Sequence, residues 1–377
     1  MRARICFFVL CLFFCFSSVA KAEPSINDEI EAKASILIEQ STGRVLSEMN
    51  ADEQLPIASV TKIMTMLLII EAVDYNMITL DDLVTVSENA MSYGGSTMFL
   101  EAGEQLTVND MLKGIAVASA NDGCVAMSEH LAGSETAFVD KMNKRAKELG
   151  MENTNFLNTN GLDEDGHYSS ARDVAIMSRE LLKHDKIFKY TTIWMDELRG
   201  GKFQLANTNK LIRFYKGANG LKTGSTSKAL CCLSASAKRD DMQLIAVILG
   251  SPTSDKRFEG AKKLLDYGFA NYKIKTLTTK DEYICDADVI NGVNTTVKAI
   301  SKEGKQQLSE KNNNSEIEKR VSVNDKILAP VKKGDILGKV EFIADNNVID
   351  SIEIVASDDV AKKGVFLKIK DLIYDFM

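Results

Sequence analysis

The sequence is poor in the residues on which the common hydrolytic and metal sites depend. Its 377 residues include three histidines (His130, His167 and His184), seven cysteines and one tryptophan. None of the histidines stands beside a serine or cysteine in a recognisable nucleophile motif, and the cysteines show no zinc-type spacing. Neither a metal nor an organic cofactor is expected. A nucleophilic serine in this chain would need a base other than histidine.

An excess of positive charge is lacking as well. The formal net charge is −7, with 26% charged and 45% hydrophobic residues. An acidic chain has no electrostatic footprint for nucleic acid, so no nucleic-acid partner is expected. The composition is that of a globular protein, and the length allows two ordinary domains.

One long apolar run lies near the N terminus, over residues 5–16. It follows Arg2 and Arg4, and the small residues after it end in an Ala-x-Ala site at Ala22. About twelve apolar residues are too few to cross a bilayer, so we interpret residues 1–22 as a signal peptide of an exported protein. Cleavage would leave four cysteines, which are expected to be small buried hydrophobes. These are Cys124, Cys231, Cys232 and Cys285.

Hydrophobic periodicity predicts an α+β domain over residues 23–272, with an antiparallel sheet and a helical middle. A hairpin opens it, and its early strands are expected to pair with the late ones. The run from Ser59 to Tyr75 is apolar nearly all round, which indicates a buried helix. Asn109 or Asp110 is a candidate cap for the next helix. The predicted strands cover 35–40, 45–46, 221–225, 229–237 and 244–249, and the predicted helices cover 59–75, 108–118, 124–131, 135–149, 172–184 and 257–267.

The C-terminal part reads as a small all-β domain over residues 273–365. Strand-like pieces are expected at 282–285, 295–300, 339–343 and 348–354. The polar stretch 301–320 between them is expected to be an exposed loop or hairpin tip. Residues 366–377 place apolar side chains on one helical face, which fits either packing on the β domain or contact with a membrane surface.

Three short motifs occur in order along the chain. Ser59-Val60-Thr61-Lys62 is S-x-x-K, Ser119-Ala120-Asn121 is S-x-N, and Lys222-Thr223-Gly224 is K-T-G. Each alone is a weak signal, and Ser-Ala-Asn-Asp-Gly by itself is a good helix-ending turn. The ordered trio is specific, because it marks penicillin-binding proteins and class A β-lactamases.

The spacing of Ser59 and Lys62 suits a nucleophile and its base. At i and i+3 in a first helical turn the two side chains lie on one face. Burial disfavours an ammonium ion, so Lys62 is a candidate general base. The alternative, a capping serine and a surface lysine, fits poorly because the following helix has almost no polar face.

The other two motifs supply candidate partners for this pair. Ser119 could relay a proton to the leaving amine, and Asn121 could hold a substrate amide. Lys222 could meet a carboxylate or tune Lys62, and Gly224 would let a substrate backbone lie against the strand. The backbone N–H groups of Ser59 and Ser225 are candidates for an oxyanion hole. The hydroxyls expected to bind a terminal carboxylate belong to Thr223, Ser225 and Thr226.

With these residues the chain closely resembles the low-molecular-mass D-alanyl-D-alanine carboxypeptidases, penicillin-binding proteins of the peptidase S11 type. Further matching segments are 56–65, 95–100, 161–168, 171–173, 207–211 and 329–335. The resemblance implies a β-lactamase/transpeptidase-like catalytic domain, followed by a small domain that holds the enzyme off the membrane. It implies removal of the terminal D-alanine from peptidoglycan pentapeptides, inhibition by β-lactams that acylate the same serine, and a role in cell-wall biogenesis and cell shape. The expected location is the outer face of the bacterial cytoplasmic membrane or the cell-wall space.

Departures from the family pattern and two other functions stay open at this point. Many members have glycine where this chain has Ala120, and some have a carboxylate-binding arginine where it has Thr208. A class A β-lactamase would need a carboxylate base for deacylation, for which Glu152 and residues 163–165 are available. A non-enzymatic wall-binding protein would not require all three motifs to be intact.

Overall fold

The computed structural model describes residues 26–313 and 315–364, apart from the side chain of residue 28. The predicted signal peptide and the segment 366–377 lie outside these residues. Within them the chain forms an α+β domain and then an all-β domain, which confirms the predicted fold class. The limits given above for the two domains remain predictions.

The first domain alternates a few strands with most of the helices. Its strands are β1 (Ala34–Glu39), β2 (Val45–Met49), β3 (Leu83–Thr85), β4 (Gln105–Thr107), β5 (Met195–Leu198), β6 (Phe203–Ala206), β7 (Ala218–Thr226), β8 (Leu230–Arg239) and β9 (Met242–Ser251). Its α-helices are α1 (Lys62–Asp74), α2 (Glu88–Met91), α3 (Val108–Lys113), α4 (Asn121–Ala132), α5 (Glu135–Glu148), α6 (Ala171–Leu181), α7 (Phe188–Thr191), α8 (Leu211–Phe214) and α9 (Ser254–Asn271). Short 3-10 turns cover Ile26–Glu29, Ala58–Thr61 and Asp185–Ile187, and a π turn covers Gly114–Ala118.

The central sheet has five antiparallel strands in the order β2-β1-β9-β8-β7. β1 pairs with β9, with Ile36 opposite Val247, so the predicted pairing of early and late strands is confirmed. Both strands are buried along their whole length, because helices cover the two faces of the sheet. Their near-continuous apolar sequence follows from this burial on both sides.

The helical middle packs on one face of the sheet and α9 packs on the other. α1 lies at the centre of the first layer, and Ile63, Leu67 and Ile70 on it are fully buried. This burial confirms the predicted interior helix. On the opposite face, Leu264 and Leu265 of α9 join a second cluster that includes side chains of β8 and β9.

The segment around Ser119 differs from the sequence-based prediction. The predicted helical stretch 108–118 is confirmed in its bounds, but its last turn, Gly114–Ala118, is a π turn and ends at Ser119, which has a φ of +64°. The next helix, predicted to begin at residue 124, begins earlier, because Asn121 is the first residue of α4. The cap of α3 is Thr107, whose side chain accepts a hydrogen bond from the Asp110 backbone, and not Asn109 or Asp110. A π turn adds a residue per turn and often occurs at functional sites.

The second domain is all-β within the described residues. Its strands are β10 (Tyr272–Thr278), β11 (Tyr283–Ile290), β12 (Thr296–Ser301), β13 (Lys305–Glu310), β14 (Glu318–Val323), β15 (Ile327–Leu328), β16 (Ile336–Ala344) and β17 (Asn347–Ala356). Six of them form a sheet in the order β14-β16-β17-β12-β11-β15, and β10 pairs with β13. Its core contains Val340, Phe342 and Ile354.

The expectation of an exposed loop or hairpin tip over 301–320 is wrong for the residues that form β13 and the start of β14. The stretch contains β13, which pairs with β10 with Leu308 opposite Ile274. Leu308 is buried and contributes to the core cluster beneath the first domain's sheet. β13 has a single aliphatic residue, so its sequence lacks the alternation of apolar and polar residues that predicts a strand. It forms a strand because it pairs with β10.

Candidate active site

Ser59 lies in the 3-10 turn Ala58–Thr61 that leads directly into α1. β7 passes against this turn: a Cβ placed on Gly224 would lie 2.9 Å from the backbone nitrogen of Ser59. Residues 158–162 press on the turn from another side, since a Cβ on Gly161 would collide with the carbonyl of Ala58. The first and third motifs therefore meet in one place, and two glycines make the close approach feasible.

Lys62 is fully buried and its three hydrogen-bond contacts are well defined. Its Nζ lies 2.8 Å from Ser59 Oγ, 2.7 Å from Asn121 Oδ1 and 2.6 Å from the carbonyl oxygen of Asn160. Asn121 Oδ1 and the Asn160 carbonyl oxygen can only accept hydrogen bonds, so each binds one N–H of the lysine. The neutral amine has two N–H groups and one lone pair, and this lone pair then faces the Ser59 hydroxyl.

Burial sets the protonation of Lys62. Loss of hydration lowers the pKa of Lys62 to about 8, against the opposing influence of Cys124 and Asp122. At neutral pH about one molecule in ten would carry the free amine that can accept the serine proton.

The second motif brings Asn121 to Lys62 but leaves the Ser119 hydroxyl without a hydrogen-bond partner among the described residues. Asn121 Nδ2 donates to the carbonyl of Gly94 at 2.8 Å, so both ends of the amide are bound to protein. The expectation that Asn121 holds a substrate amide would require one of these bonds to open. Ser119 is almost buried, and its hydroxyl makes no hydrogen bond within residues 26–313 and 315–364.

The third motif lies on β7 beside the first. Lys222 is buried and its Nζ donates to the carbonyl of Thr223 at 2.9 Å. Burial and the nearby Lys62 hold the pKa of Lys222 well below its usual range. Thr223 Oγ1 donates to Thr208 Oγ1 at 2.7 Å, which places Thr208 next to the motif. Across the described residues no carboxylate forms an ion pair with Lys62 or Lys222, so an anionic ligand would meet uncompensated donors.

The hydroxyls beyond the motif are less available than the sequence suggested. Thr226 Oγ1 donates to Asp163 Oδ1 at 2.6 Å, and Ser227 Oγ and the backbone of Lys228 contact Asp163 Oδ2. Ser225 is exposed, with Cys231 Sγ 3.9 Å from its Oγ. Thr226 is thus already bound to a carboxylate of the protein.

Several residues of the site were missed by sequence reasoning. Asn160 contributes only a carbonyl, which no motif signals. Asp122 accepts hydrogen bonds from the backbones of Met98 and Leu100, and Arg257 is buried and donates to the carbonyls of Gly224 and Cys232. The sequence could have indicated Arg257 in one way only, as a charged residue on the apolar face of a predicted helix.

No histidine hydrogen-bonds Ser59 in the described residues, and His167 instead contacts the turn that carries it. The Nδ1 atom of His167 accepts the Leu157 backbone N–H at 3.1 Å, so its Nε2 donates to Thr61 Oγ1 at 2.8 Å. Burial lowers the pKa of His167 to about 4, which keeps the ring neutral. The ring therefore supports the turn that carries Ser59 rather than acting as a base.

Glu71, Glu180 and His184 form a cluster away from the cleft that has metal-ligand geometry, with ligand atoms within 4.8 Å of one another. Arg145 pairs with both carboxylates, at 2.7 and 3.1 Å. His184 also contacts Asp74 at 2.6 Å. These partners balance the charges of the cluster, so it reads as an ion-pair network.

Comparisons with known proteins match the whole described fold. The peptidase S11 model, described as D-alanyl-D-alanine carboxypeptidase, matches residues 18–253, and the model of the penicillin-binding protein 5 C-terminal domain matches residues 272–362. The D-alanyl-D-alanine carboxypeptidase DacF of Bacillus subtilis is 44% identical over 374 residues, which cover 98% of this chain and 96% of that protein.

Solved structures agree with the sequence comparison. Penicillin-binding protein 5 from Haemophilus influenzae superposes with a TM-score of 0.75 and 32% identity, over 90% of this chain and 99% of that one. Penicillin-binding protein D2 from Listeria monocytogenes, solved in an ampicillin-bound form, superposes with a TM-score of 0.58 and 31% identity. It covers 64% of this chain and 98% of its own.

Proposed function

The chain belongs to the peptidase S11 family of D-alanyl-D-alanine carboxypeptidases, and on that premise we propose how its own residues carry out the reaction. The family acts on peptidoglycan peptides that end in D-Ala-D-Ala, uses a serine mechanism and is a target of β-lactams. The observation that carries the assignment of roles is the buried Lys62 amine, 2.8 Å from Ser59 Oγ with its other donors already bound.

Ser59 is the proposed nucleophile and Lys62 its general base. The amine takes the Ser59 proton as Oγ bonds to the carbonyl carbon of the penultimate D-alanine. The backbone N–H groups of Ser59 and Ser225 are proposed to hold the oxyanion, where each donor contributes about 3 kcal/mol. When the C–N bond breaks, the proton passes to the leaving amine, and D-alanine departs. Water then hydrolyses the ester.

Ser119 is the proposed proton relay between Lys62 and the leaving amine. Its free hydroxyl supports this role, because a relay must exchange partners during the reaction. Asn121 is proposed to orient Lys62 first and to bind a substrate amide only if its bond to Gly94 opens.

The terminal carboxylate of the substrate is proposed to bind at Lys222, and at Thr223 if its hydroxyl turns away from Thr208. The absence of a compensating carboxylate at either lysine, within the part of the chain described, supports an anion site here. Thr226 joins the site if the substrate carboxylate replaces Asp163 on its hydroxyl. Gly224 lets β7 lie against the Ser59 turn, because a Cβ there would meet the backbone of that turn, and the substrate backbone is proposed to lie along β7 beside it.

A β-lactamase function has less support. Of its candidate bases, Asp163 is bound to Thr226, Asp165 pairs with Lys228 at 2.6 Å, and Glu152 is exposed. No carboxylate hydrogen-bonds Ser59 or Lys62 within the described residues. A non-enzymatic role would leave the arrangement of Ser59 and Lys62 without a purpose.

Export is proposed from the sequence of residues 1–22 and from the location of the family's substrate in the cell wall. Contact of residues 366–377 with a membrane surface is part of the same proposal, as is a role in cell shape. Among the helices of the described residues, none has the length and apolarity of a membrane span.

The assignment of Ser59 is tested by a Ser59→Ala variant. It should lose both labelling by fluorescent penicillin and release of D-alanine from a diacyl-D-Ala-D-Ala peptide. Ser92→Ala is the control, because Ser92 is exposed and its hydroxyl donates to the carbonyl of Asn89 in the short helix that precedes it. Persistent labelling of Ser59→Ala, with the control unchanged, would refute the assignment.

A further inference from the structure

The loop of residues 94–100 lies directly on Asn121. The Asn121 backbone N–H donates to the Ser96 carbonyl at 2.7 Å, and its Nδ2 donates to the Gly94 carbonyl at 2.8 Å. The other end of the same amide accepts from Lys62. A shift of this loop therefore turns the amide that orients the lysine.

The far end of the 94–100 loop is held from two sides. On the inner side the carboxylate of Asp122 accepts from the backbones of Met98 and Leu100, each at 3.1 Å. On the outer side Arg199, in the turn between β5 and β6, donates Nη1 to the Met98 carbonyl at 2.8 Å and Nη2 to the Phe99 carbonyl at 3.1 Å.

Arg199 is itself fixed in one orientation. Its Nε and Nη2 bind the two carboxylate oxygens of Glu104, at 2.6 and 2.9 Å. The planar guanidinium thus bridges one carboxylate and two carbonyls at once, which a lysine cannot do. Both ionic side chains are only about one-fifth exposed, at 21% each, so water screens the pair in part.

The conformation of Phe99 indicates that this end of the loop must be stabilised by its neighbours. It has a φ of +53°, which is uncommon for a bulky residue, and its side chain is 73% exposed. Its ring makes an edge contact with Phe203 at 5.9 Å, and Arg199 lies 5.7 Å from the centre of the Phe203 ring. Such a backbone conformation persists only where surrounding contacts impose it.

We propose that Arg199 is a positioning residue for acylation: its fork holds the 94–100 loop, and through it Asn121, in the arrangement that aligns Lys62 with Ser59. This inference rests on the proposed roles of Ser59 and Lys62. Arg199 touches neither the reacting atoms nor Lys62, so its effect passes through Met98, Phe99 and Asn121.

The test compares Arg199→Ala and Arg199→Lys with the wild type in stopped-flow acylation by a fluorescent penicillin. The first-order acylation rate constant should fall about tenfold or more in both variants, because misplacement by about 1 Å can cost 10²-fold. The dissociation constant of the initial complex should change little. Hydrogen exchange of the 95–100 backbone amides should accelerate in both.

Arg179→Ala is the matched control. Arg179 also clamps a turn through backbone carbonyls, donating to Gln40 at 2.6 Å and to Ser41 at 2.9 Å, but away from the 94–100 loop. The Arg179→Ala variant should be acylated at the wild-type rate. If Arg199→Ala fails to fold, Glu104→Gln, which loosens the same fork, takes its place with a smaller loss expected.

Wild-type acylation in Arg199→Ala or Glu104→Gln would overturn the inference. So would full rescue by Arg199→Lys, because charge rather than the geometry of the fork would then suffice. The rate constant is calculated per active site, with the number of sites taken from the endpoint of labelling. A substitution that only lowers the stability of the protein would therefore leave this rate constant unchanged. That result would also contradict the proposal. If the wild type itself is not acylated, the proposed function fails instead.

Discussion

The pH dependence of acylation tests the role of Lys62 most quantitatively. Only the neutral amine can accept the Ser59 proton, so the acylation rate constant should rise with pH and level off above the pKa of Lys62. Burial lowers that pKa from 10.5 to about 8. The rise should therefore be about tenfold per pH unit below 7 and have its midpoint near pH 8.

The size of the effect follows from the shift. At pH 7 a lysine with a pKa of about 8 is about 10% neutral, whereas an ordinary lysine is neutral in about 0.03% of molecules. Burial thus raises the population of the reactive form about 300-fold. The difference corresponds to about 3 kcal/mol between the two protonation states.

The assay is single-turnover acylation by a fluorescent penicillin between pH 5.5 and 10. Lys62→Arg is the control, because its guanidinium stays charged throughout this range and should give a low rate without the rise. A wild-type profile that is flat, or that rises only near pH 10.5, would contradict the assignment of Lys62 as a buried base.

Two other substitutions probe the walls of the cleft. Gly161→Ala should slow acylation at least tenfold, because its Cβ would collide with the Ala58 carbonyl and move the Ser59 turn; Gly166→Ala, also at positive φ but 3.5 Å from the nearest atom, is the control. Equal rates for the two variants would count against a packed turn. Asp163→Ala should lower KM for a diacyl-D-Ala-D-Ala peptide several-fold in steady-state kinetics, because it frees the Thr226 hydroxyl for the substrate carboxylate. A raised KM would mean that Asp163 orders this site instead.

The sequence predicted the burial of Lys62 and its proximity to Ser59 better than it predicted the surroundings of the pair. The spacing of Ser59 and Lys62 and the apolar helix behind them were enough to expect a buried lysine, because a 3.6-residue period fixes which side chains share a face. The β7 motif and the pairing of β1 with β9 followed from similarly local patterns.

Features that depend on distant backbone escaped the prediction. The Asn160 carbonyl on Lys62 and the Asp163 carboxylate on Thr226 come from one loop whose position depends on contacts with the Ser59 turn. The π turn before Ser119 leaves no mark in apolar spacing. Likewise Leu308 gives β13 too little pattern, and only its pairing with β10 reveals it as a strand.

Mass spectrometry of the penicillin adduct tests the central claim most directly. Trypsin should release residues 45–62 as one peptide, which contains Ser47, Ser59 and Thr61. The account predicts that this peptide carries the mass of the opened β-lactam and that fragmentation assigns the mass to Ser59. An adduct on Ser119, Ser225 or any other residue, with Ser59 unmodified, would contradict it.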